Sequence, residues 1–178
     1  CSNRCSFCAK FTDFFVKGHF LKLDHEPSFH EVMAAIGDPS GYREVVFCGY
    51  GEPLLRLDLV KEVAAALKNK GCRVRINTDG QASLVHSRNV PAELAGLVDA
   101  VSVSLNAADA ETYQMLCRSP FGEAGFQGVQ DFLVEAKKHI PTVIASAVSV
   151  PGLDVEAVRK LAESLGVSFR EREFADVG

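Results

Sequence analysis

Hydrophobic and polar positions follow two periods along this chain, and segments of the two periods alternate from residue 28 onward. In six segments apolar residues recur every three to four positions, the spacing of a helix with one buried face. Between them lie short runs rich in β-branched residues, in which apolar and polar residues alternate. These runs predict five strands, over residues 44–48, 73–78, 100–106, 142–150 and 168–174.

Capping residues mark the ends of several predicted helices. Ser28, followed three positions later by Glu31, has the spacing of a capping box and predicts a helix that continues to about Ile36. Gly37 is expected to end that helix in a left-handed conformation. A carboxylate can accept the free amides of a first helical turn, and this predicts three further N-termini, at Asp58, Asp109 and Asp154. Apolar spacing alone predicts two more helices, over residues 92–98 and around residues 129–136.

The alternation of strands with helices predicts an α/β fold of parallel strands joined by right-handed crossovers. Such a sheet either curls into a closed or partial barrel or stays open and doubly wound. In the strand at 100–106, Val101, Val103 and Leu105 alternate with polar residues. A barrel strand turns its apolar face to the helices and its other face inward, whereas a central strand of an open sheet is apolar on both faces. The pattern favours a barrel, and an edge strand of an open sheet is the alternative.

Composition and charge narrow the class of protein. The chain has 178 residues, of which 47% are hydrophobic and 24% charged, values that predict one globular domain over residues 1–178 and exclude a disordered or coiled-coil chain. The net charge is -4 and both signs are interspersed, so no general attraction to nucleic acid or anionic membranes is expected. No apolar run approaches the roughly 20 residues that span a bilayer, and no membrane association is predicted.

Three of the six cysteines lie within the first eight residues, as Cys1, Cys5 and Cys8 in the spacing C-x3-C-x2-C. Three soft thiolates suit an iron-sulfur cluster or zinc, and their crowding indicates a reducing compartment, which we take to be the cytoplasm. Zinc would need a fourth ligand, for which His19, His25 or a cysteine distant in sequence is a candidate. The spacing alone leaves a cluster, zinc and plain buried cysteines open.

A second motif, Gly49-Tyr50-Gly51-Glu52-Pro53, directly follows the first predicted strand. Glycines let a backbone approach a ligand closely, and a carboxylate at a strand end can bind an ammonium group. An ordinary turn between a strand and a helix has a similar composition. The motif is not a phosphate loop, because neither G-x4-G-K-[ST] nor G-x-G-x-x-G occurs in the sequence.

Taken together, the two motifs resemble the radical S-adenosylmethionine (SAM) superfamily. In that family the three cysteines hold a [4Fe-4S] cluster, whose open iron chelates the amino and carboxylate groups of SAM. Reduction then cleaves SAM to methionine and a 5'-deoxyadenosyl radical, which abstracts hydrogen from a substrate. The resemblance implies a partial (β/α)6 TIM-like barrel. The five predicted strands would be its second to sixth, and the first would lie upstream of Cys1.

The resemblance also assigns roles to individual residues. Cys1, Cys5 and Cys8 would ligate the cluster, and Phe7 would lie near the adenine. Gly49, Tyr50, Gly51 and Glu52 match the motif whose glutamate binds the methionine ammonium, with Tyr50 in place of the usual second glycine. Contacts to the ribose and the methionine carboxylate would come from Asn77, Thr78, Ser104 and Asn106, and adenine contacts from Ser146 and Val148.

Arg170 and Arg172 alternate with Phe169 and Glu171 in the last predicted strand. One face of that strand could therefore carry two guanidinium groups into the barrel, to hold a carboxylate or phosphate of SAM or of the substrate. The alternative is a pair of solvated arginines beside Glu171 and Glu173.

The segments FCGYGEPLLRLD, INTDG and VDAVSVSLNA more narrowly resemble the TatD-associated radical SAM proteins, named for genes beside or fused to TatD-type nucleases. This resemblance implies a functional link to such a nuclease, and radical SAM chemistry implies a low-potential electron donor of the flavodoxin or ferredoxin type. Glycyl-radical activating enzymes and deazapurine synthases are similar alternatives within the superfamily. A non-catalytic zinc or iron-sulfur binding module, or an electron-transfer ferredoxin, is the alternative from another class.

Overall fold

The computed structural model describes residues 1–8, 14–16 and 18–174. The strands are β1 (Phe15–Val16), β2 (His19–Phe20), β3 (Val45–Phe47), β4 (Val74–Thr78), β5 (Ala100–Ser104), β6 (Thr142–Ser149) and β7 (Ser168–Glu173). The α-helices are α1 (Phe29–Ile36), α2 (Leu57–Asn69), α3 (Ala82–His86), α4 (Val90–Glu93), α5 (Ala110–Cys117), α6 (Glu123–His139) and α7 (Val155–Ser164). Two short 3-10 helices cover Pro39–Gly41 and Pro53–Arg56.

The main sheet has five parallel strands in the order β3-β4-β5-β6-β7. Each strand is therefore the neighbour of the next one along the chain, and the chain crosses the sheet in one direction. A doubly wound sheet reverses that direction part-way, whereas a barrel does not. The α/β fold of the partial-barrel type predicted from the sequence is confirmed.

The two faces of the sheet differ as the strand pattern predicts. Val101 and Val103 of β5 are fully buried on the apolar face. They share one core with the apolar side of α6, including Phe132 and Leu133. The polar residues of the same strands, such as Ser102 and Ser104, lie on the opposite face, which is the interior of the barrel. The helices thus pack on one side and leave the other for polar chemistry.

Most of the predicted helix starts are confirmed. Ser28 and Glu31 form the full capping box, and Asp109 and Asp154 accept the amides of Thr112 and Ala157. The cap at Asp58 is wrong, because the 3-10 helix Pro53–Arg56 leads directly into α2, whose N-cap is Arg56. Gly37 ends α1 with φ 66° and ψ -133°, a positive φ with extended ψ rather than the expected left-handed helical conformation.

Several elements differ from the sequence-based prediction or were not predicted. The β1–β2 hairpin and α3 were missed, and α4 covers Val90–Glu93 instead of residues 92–98. The first turns of α6 were also missed because they contain glycines, which are poor helix formers. Close packing explains why glycine occupies such a helical position: a Cβ on Gly128 would lie 2.5 Å from Cδ1 of Leu84. Within the described part of the chain, no helix has the length and apolar character needed to cross a membrane.

Candidate functional site

Polar side chains and all three clustered cysteines meet at the carboxyl ends of the parallel strands. They surround a cavity of about 360 Å³, which we call the mouth cavity. Every site residue predicted from the sequence lines it, with the exceptions of Ser146 and Arg170. Asn3, Leu21, Cys48 and Asp79 line it as well and were not predicted. The carboxyl end of a parallel sheet is where ligands bind in such folds.

A larger groove of about 470 Å³ runs beside β3, between that strand and α2. It shares Cys1 and Glu52 with the mouth cavity, but its other walls are mainly apolar, and neither Cys5 nor Cys8 lines it. The side chains that can carry chemistry therefore favour the mouth cavity over the larger groove.

The cysteine loop is held by the end of helix α5. The last carbonyls of an α-helix lack partners within the helix. Here the amide of Arg4 donates to the carbonyl of Cys117 at 3.0 Å, and the amide of Ser6 donates to that of Leu116 at 2.8 Å. The amide of Cys8 closes a turn onto the carbonyl of Cys5 at 3.2 Å. These backbone bonds fix the path of the loop across the mouth of the barrel.

A buried polar network anchors the same loop through side chains. Nε2 of Gln81 donates to Oδ1 of Asn3 and to Oη of Tyr113, both at 2.7 Å. Nδ2 of Asn3 donates to the same Tyr113 oxygen at 3.2 Å, and Oγ of Ser119 donates to Oε1 of Gln81 at 2.7 Å. All four residues are buried. Because a buried polar group is costly without a partner, the network allows few alternative positions for Asn3.

Gly125 of α6 makes room for this network. A Cβ at that position would lie 2.3 Å from Oγ of Ser119 and 3.4 Å from Oε1 of Gln81. Gly80 is equally constrained, with φ +80° and a Cβ position 2.7 Å from Cγ1 of Val103. Sequence reasoning missed the network because its members are up to 110 residues apart, and no local pattern pairs them.

Asp79 joins the end of β4 to the cysteine loop. Its Oδ2 accepts the hydroxyl of Ser2 at 2.8 Å and the thiol of Cys1 at 3.7 Å. Its Oδ1 accepts the amide of Gln81 at 3.0 Å, which closes a local turn. The only sequence signal for Asp79 is its place directly after a predicted strand.

Glu52 lies buried against the end of β4, with its carboxylate among three donors. Oε1 accepts the amide of Leu54 and the hydroxyl of Thr78, both at 2.9 Å, and Oε2 accepts the amide of Asp79 at 2.6 Å. A carboxylate offers about four acceptor positions, so Oε2 retains one for a ligand. Glu52 lies in the turn after β3, as the sequence predicts.

The charge of Glu52 is unfavourable when the cavity holds no cation. Burial, and after it the negative charge of Asp79, raise the pKa of this carboxyl to about 8 against the lowering effect of its three hydrogen-bond donors. Two buried carboxylates side by side form a site that a positive group would stabilise. The pair therefore has the electrostatics of an ammonium-binding site.

Tyr50 stands where the related motif usually has its second glycine. Its side chain lies against the β1–β2 hairpin. Its hydroxyl donates to the carbonyl of Phe15 at 3.3 Å, and its ring lies edge-on to Phe14 at 5.9 Å. The flanking Gly49 and Gly51 have φ values of 131° and 125°, which other residues rarely adopt. The glycines, rather than the residue between them, set the turn.

The predicted contacts on β4 to β6 lie on two levels. Asn77, Thr78 and Asn106 line the mouth cavity together with Val148. Asn106 has a positive φ of 58°, a conformation uncommon outside glycine, and its Oδ1 accepts the amide of Val148 at 3.4 Å. Ser146 is only 1% exposed, faces a smaller cavity below, and does not line the mouth cavity.

That smaller cavity, which we call the inner cavity, has a volume of about 170 Å³ and lies inside the barrel. It is lined by Arg75, Asn77, Ser102, Ser104, Ser146, Arg170 and Arg172. Asn77, Ser104 and Arg172 line both cavities, so the two adjoin. The prediction that Arg170 and Arg172 share one face of the last strand agrees with this arrangement.

The donor set of the mouth cavity fits an iron-sulfur cluster. No three His, Cys, Asp or Glu side chains among residues 1–8, 14–16 and 18–174 converge on the position of a single metal ion. The cysteines of a four-iron cluster each ligate a different iron, so a cluster needs thiolates around one cavity rather than around one ion. Cys1, Cys5 and Cys8 all line this cavity, and none of the three is in a disulfide bond.

Comparison with known proteins identifies related sequences and folds. The family model described as the radical SAM superfamily matches residues 1–165. A curated relative, the uncharacterized protein MJ0804 of Methanocaldococcus jannaschii, is 30% identical over 122 residues, which cover 68% of this chain and 40% of the relative. The chain thus spans less than half the length of that relative.

Solved structures share the fold at low sequence identity. TYW1 with a lysine-pyruvate adduct bound has a TM-score of 0.64 and 16% identity, over 98% of this chain and 61% of that one. A radical SAM methyltransferase from Sphaerobacter thermophilus has a TM-score of 0.62 and 16% identity, over 97% and 63%. SuiB of Streptococcus suis bound to the precursor peptide SuiA has a TM-score of 0.65 and 15% identity, over 99% and 37%.

Proposed function

This chain belongs to the radical SAM superfamily, and from that membership we propose that it cleaves SAM reductively and abstracts hydrogen from a substrate that is still to be identified. The observation that carries the proposal is the meeting of Cys1, Cys5, Cys8 and Glu52 around one cavity. The cysteines come from one loop and Glu52 from the turn that follows β3, so the fold, and not the sequence alone, brings them together.

In this proposal Cys1, Cys5 and Cys8 ligate a [4Fe-4S] cluster and leave one iron open. A reduced cluster held there would supply the one electron that cleaves SAM to methionine and a 5'-deoxyadenosyl radical, and the hydrogen atom lost by the substrate would end in 5'-deoxyadenosine. The protein's part is to bind, orient and shield these groups.

Glu52 and Asp79 would hold the methionine end of SAM. The free acceptor position on Oε2 of Glu52 suits an ammonium group, and the neighbouring charge of Asp79 strengthens that preference. Because the ammonium would relieve the repulsion between the two carboxylates, SAM binding and ionisation of Glu52 would favour each other. Asp79 extends the set of contacts predicted from the sequence.

The remaining cofactor contacts are proposed from the lining of the mouth cavity. Phe7 and Val148 offer apolar surface for the adenine. Asn77, Thr78, Ser104 and Asn106 offer hydrogen bonds for the ribose and the methionine carboxylate. We assign Ser146 a smaller part, because it donates to the carbonyl of Val103 at 3.4 Å and lies beneath this group.

Within the superfamily we propose that residues 1–178 form one core domain of the TatD-associated branch. The segments FCGYGEPLLRLD, INTDG and VDAVSVSLNA support this assignment. A functional link to a TatD-type nuclease and a flavodoxin or ferredoxin as electron donor belong to the same proposal.

Anaerobic turnover of SAM tests the proposed function. The protein is reconstituted with iron and sulfide, reduced with dithionite in the presence of SAM, and analysed for 5'-deoxyadenosine by chromatography. We expect formation of 5'-deoxyadenosine by the wild type and by Cys48→Ala, which removes a cavity-lining cysteine outside the motif. A reducible cluster that leaves SAM uncleaved would reject the proposal and favour electron transfer.

A further inference from the structure

The inner cavity concentrates positive charge in a protein that is acidic overall. The net charge of the chain is -4, yet Arg75, Arg170 and Arg172 line this one cavity, and no carboxylate of the described residues lines it. The alternation of the strands explains the arrangement, because residues two apart on β7 point to the same face. Register places Arg170 beside Ser146 and Arg172 beside Val148.

One of the three charges is balanced and two are not. Nε of Arg75 donates to Oε1 of Glu44 at 3.0 Å, and its Nη1 donates to Oδ1 of Asn77 at 3.0 Å. Among the residues that the structure describes, neither Arg170 nor Arg172 takes part in an ion pair. Arg170 is exposed, whereas Arg172 is half-buried, and a half-buried guanidinium without an ion-pair partner invites an anion.

Arg172 carries the clearest sign of a missing partner. Its Nη2 donates to Oγ of Ser104 at 3.4 Å, while its Nε is buried and has no hydrogen-bond acceptor in the described part of the chain. Burial lowers the pKa of Arg172, and the like charge of Arg170 lowers it further. An anion between the two side chains would satisfy the free donor and offset the repulsion.

The size and lining of the cavity match a small oxyanion. Its volume of about 170 Å³ is several times the roughly 30 Å³ that one water occupies. Ser102, Ser104 and Ser146 add hydroxyl groups around the guanidinium forks. Guanidinium groups bind carboxylate and phosphate through paired hydrogen bonds, and hydroxyls complete such sites.

We propose that the inner cavity binds an oxyanion group of the substrate, a carboxylate or a phosphate, through Arg170 and Arg172. The inference rests on the proposed function, because it assigns the substrate's anchor for the same reaction. Arg172 and Ser104 also line the mouth cavity, so an anion held below would place the rest of the substrate next to the reacting end of SAM.

Equilibrium binding of small anions to the protein without cofactors tests the site. Inorganic phosphate and malonate are titrated separately by calorimetry, in an amine buffer at low ionic strength. The variants are Arg170→Gln, Arg172→Gln and Arg172→Lys, and the matched control is Arg73→Gln, which removes an exposed arginine directly before β4. Arg170 is itself exposed at the sheet edge, so its variant is expected to fold normally.

We expect Arg170→Gln and Arg172→Gln each to weaken binding of one anion by roughly ten- to a hundredfold, the loss of one or two hydrogen bonds to a charged group. Arg172→Lys keeps the charge but loses the paired N–H donors of the guanidinium group, so its effect should be intermediate. The control should bind as the wild type does. The anion that binds more tightly identifies the substrate group as phosphate or carboxylate. Equal affinities for all variants, or no binding, would overturn the proposal.

A second titration distinguishes substrate from cofactor. The reconstituted protein is saturated with SAM, and the same anion is titrated again. Undiminished affinity supports a site separate from that of SAM. Competition between the anion and SAM would mean that the arginines hold the carboxylate of SAM, and the substrate assignment would be wrong. Formation of 5'-deoxyadenosine, measured separately, reports whether the proposed function itself stands.

Discussion

The mouth cavity and the inner cavity adjoin but have opposite character. The mouth cavity contains three thiols of the cysteine motif and the buried carboxylates of Glu52 and Asp79. The inner cavity contains three guanidinium groups and, within the part of the chain that the structure describes, no carboxylate. A barrel interior that separates these charges can hold a cationic group at its mouth and an anionic group beneath. The molecule thus offers different chemistry to two ligands along one axis.

The two cavities also differ in how the chain builds them. The walls of the inner cavity are strand residues at a spacing of two, from β4 to β7. The mouth cavity is built mainly from loops that follow the strands and from the cysteine loop, which reaches it through contacts with α5. The lining of the inner cavity therefore follows from strand periodicity, whereas that of the mouth cavity depends on long-range contacts.

The largest effect is expected from Cys5→Ala. Two thiolates are too few to hold a four-iron cluster in the mouth cavity, so iron and sulfide should fall to background after reconstitution. Cys48→Ala, at a cavity-lining position outside the motif, should retain both. Metal and sulfide analysis after anaerobic reconstitution measures the difference. Iron at wild-type stoichiometry in Cys5→Ala, or one equivalent of zinc without iron in the wild type, would contradict the assignment.

A smaller effect is expected from Glu52→Gln. The substitution removes the charge that we assign to the methionine ammonium and should weaken SAM binding by about 1–3 kcal/mol, the range of a hydrogen bond to a charged group. The cluster content should be unchanged. Glu26→Gln, the same chemical change in the groove beside β3, should bind SAM as the wild type does. Calorimetry measures both affinities. If Glu52→Gln binds SAM as tightly as the wild type, Glu52 has only a structural role in the turn.

The smallest effect concerns stability as a function of pH. The pKa of Glu52 is raised from its ordinary 4.5 to about 8, so the folded protein keeps a proton that the unfolded chain releases. The contribution is therefore fully present below about pH 4.5 and is lost as the pH rises toward 8. Without SAM, the free energy of unfolding should fall across this window by at most about 1.4 kcal/mol per pH unit.

Glu52→Gln supplies the control for that pH dependence. Its side chain does not titrate, whereas the five histidines are present in both proteins. Denaturant unfolding at several pH values should therefore show a steeper decline for the wild type than for the variant. Parallel curves would mean that Glu52 is ionised in the folded protein across this range.

The sequence predicts what depends on local pattern. Alternation in β5 correctly placed Ser102 and Ser104 on the inner face, and capping at Ser28, Asp109 and Asp154 gave true helix starts. The cap predicted at Asp58 was wrong because a neighbouring 3-10 helix changed where α2 begins. The pattern that identifies a cap does not include the element before it.

The parts of the site that sequence reasoning missed depend on distant contacts. Gln81, Asn3 and Tyr113 meet across separations of 32 to 110 residues, and each is an unremarkable residue in its own segment. Gly125 lies in a helix that its composition disfavours, and only the closeness of Ser119 explains it. Such positions can be read only after the elements have been assembled.

The most direct test of the central claim is anomalous diffraction at the iron edge from crystals of the reconstituted protein with SAM. We predict iron in the mouth cavity beside Cys1, Cys5 and Cys8, with the methionine end of SAM at Glu52 and the inner cavity left free. Iron bound elsewhere, or the carboxylate of SAM seated between Arg170 and Arg172, would contradict the division of the barrel into a cofactor site and a substrate site.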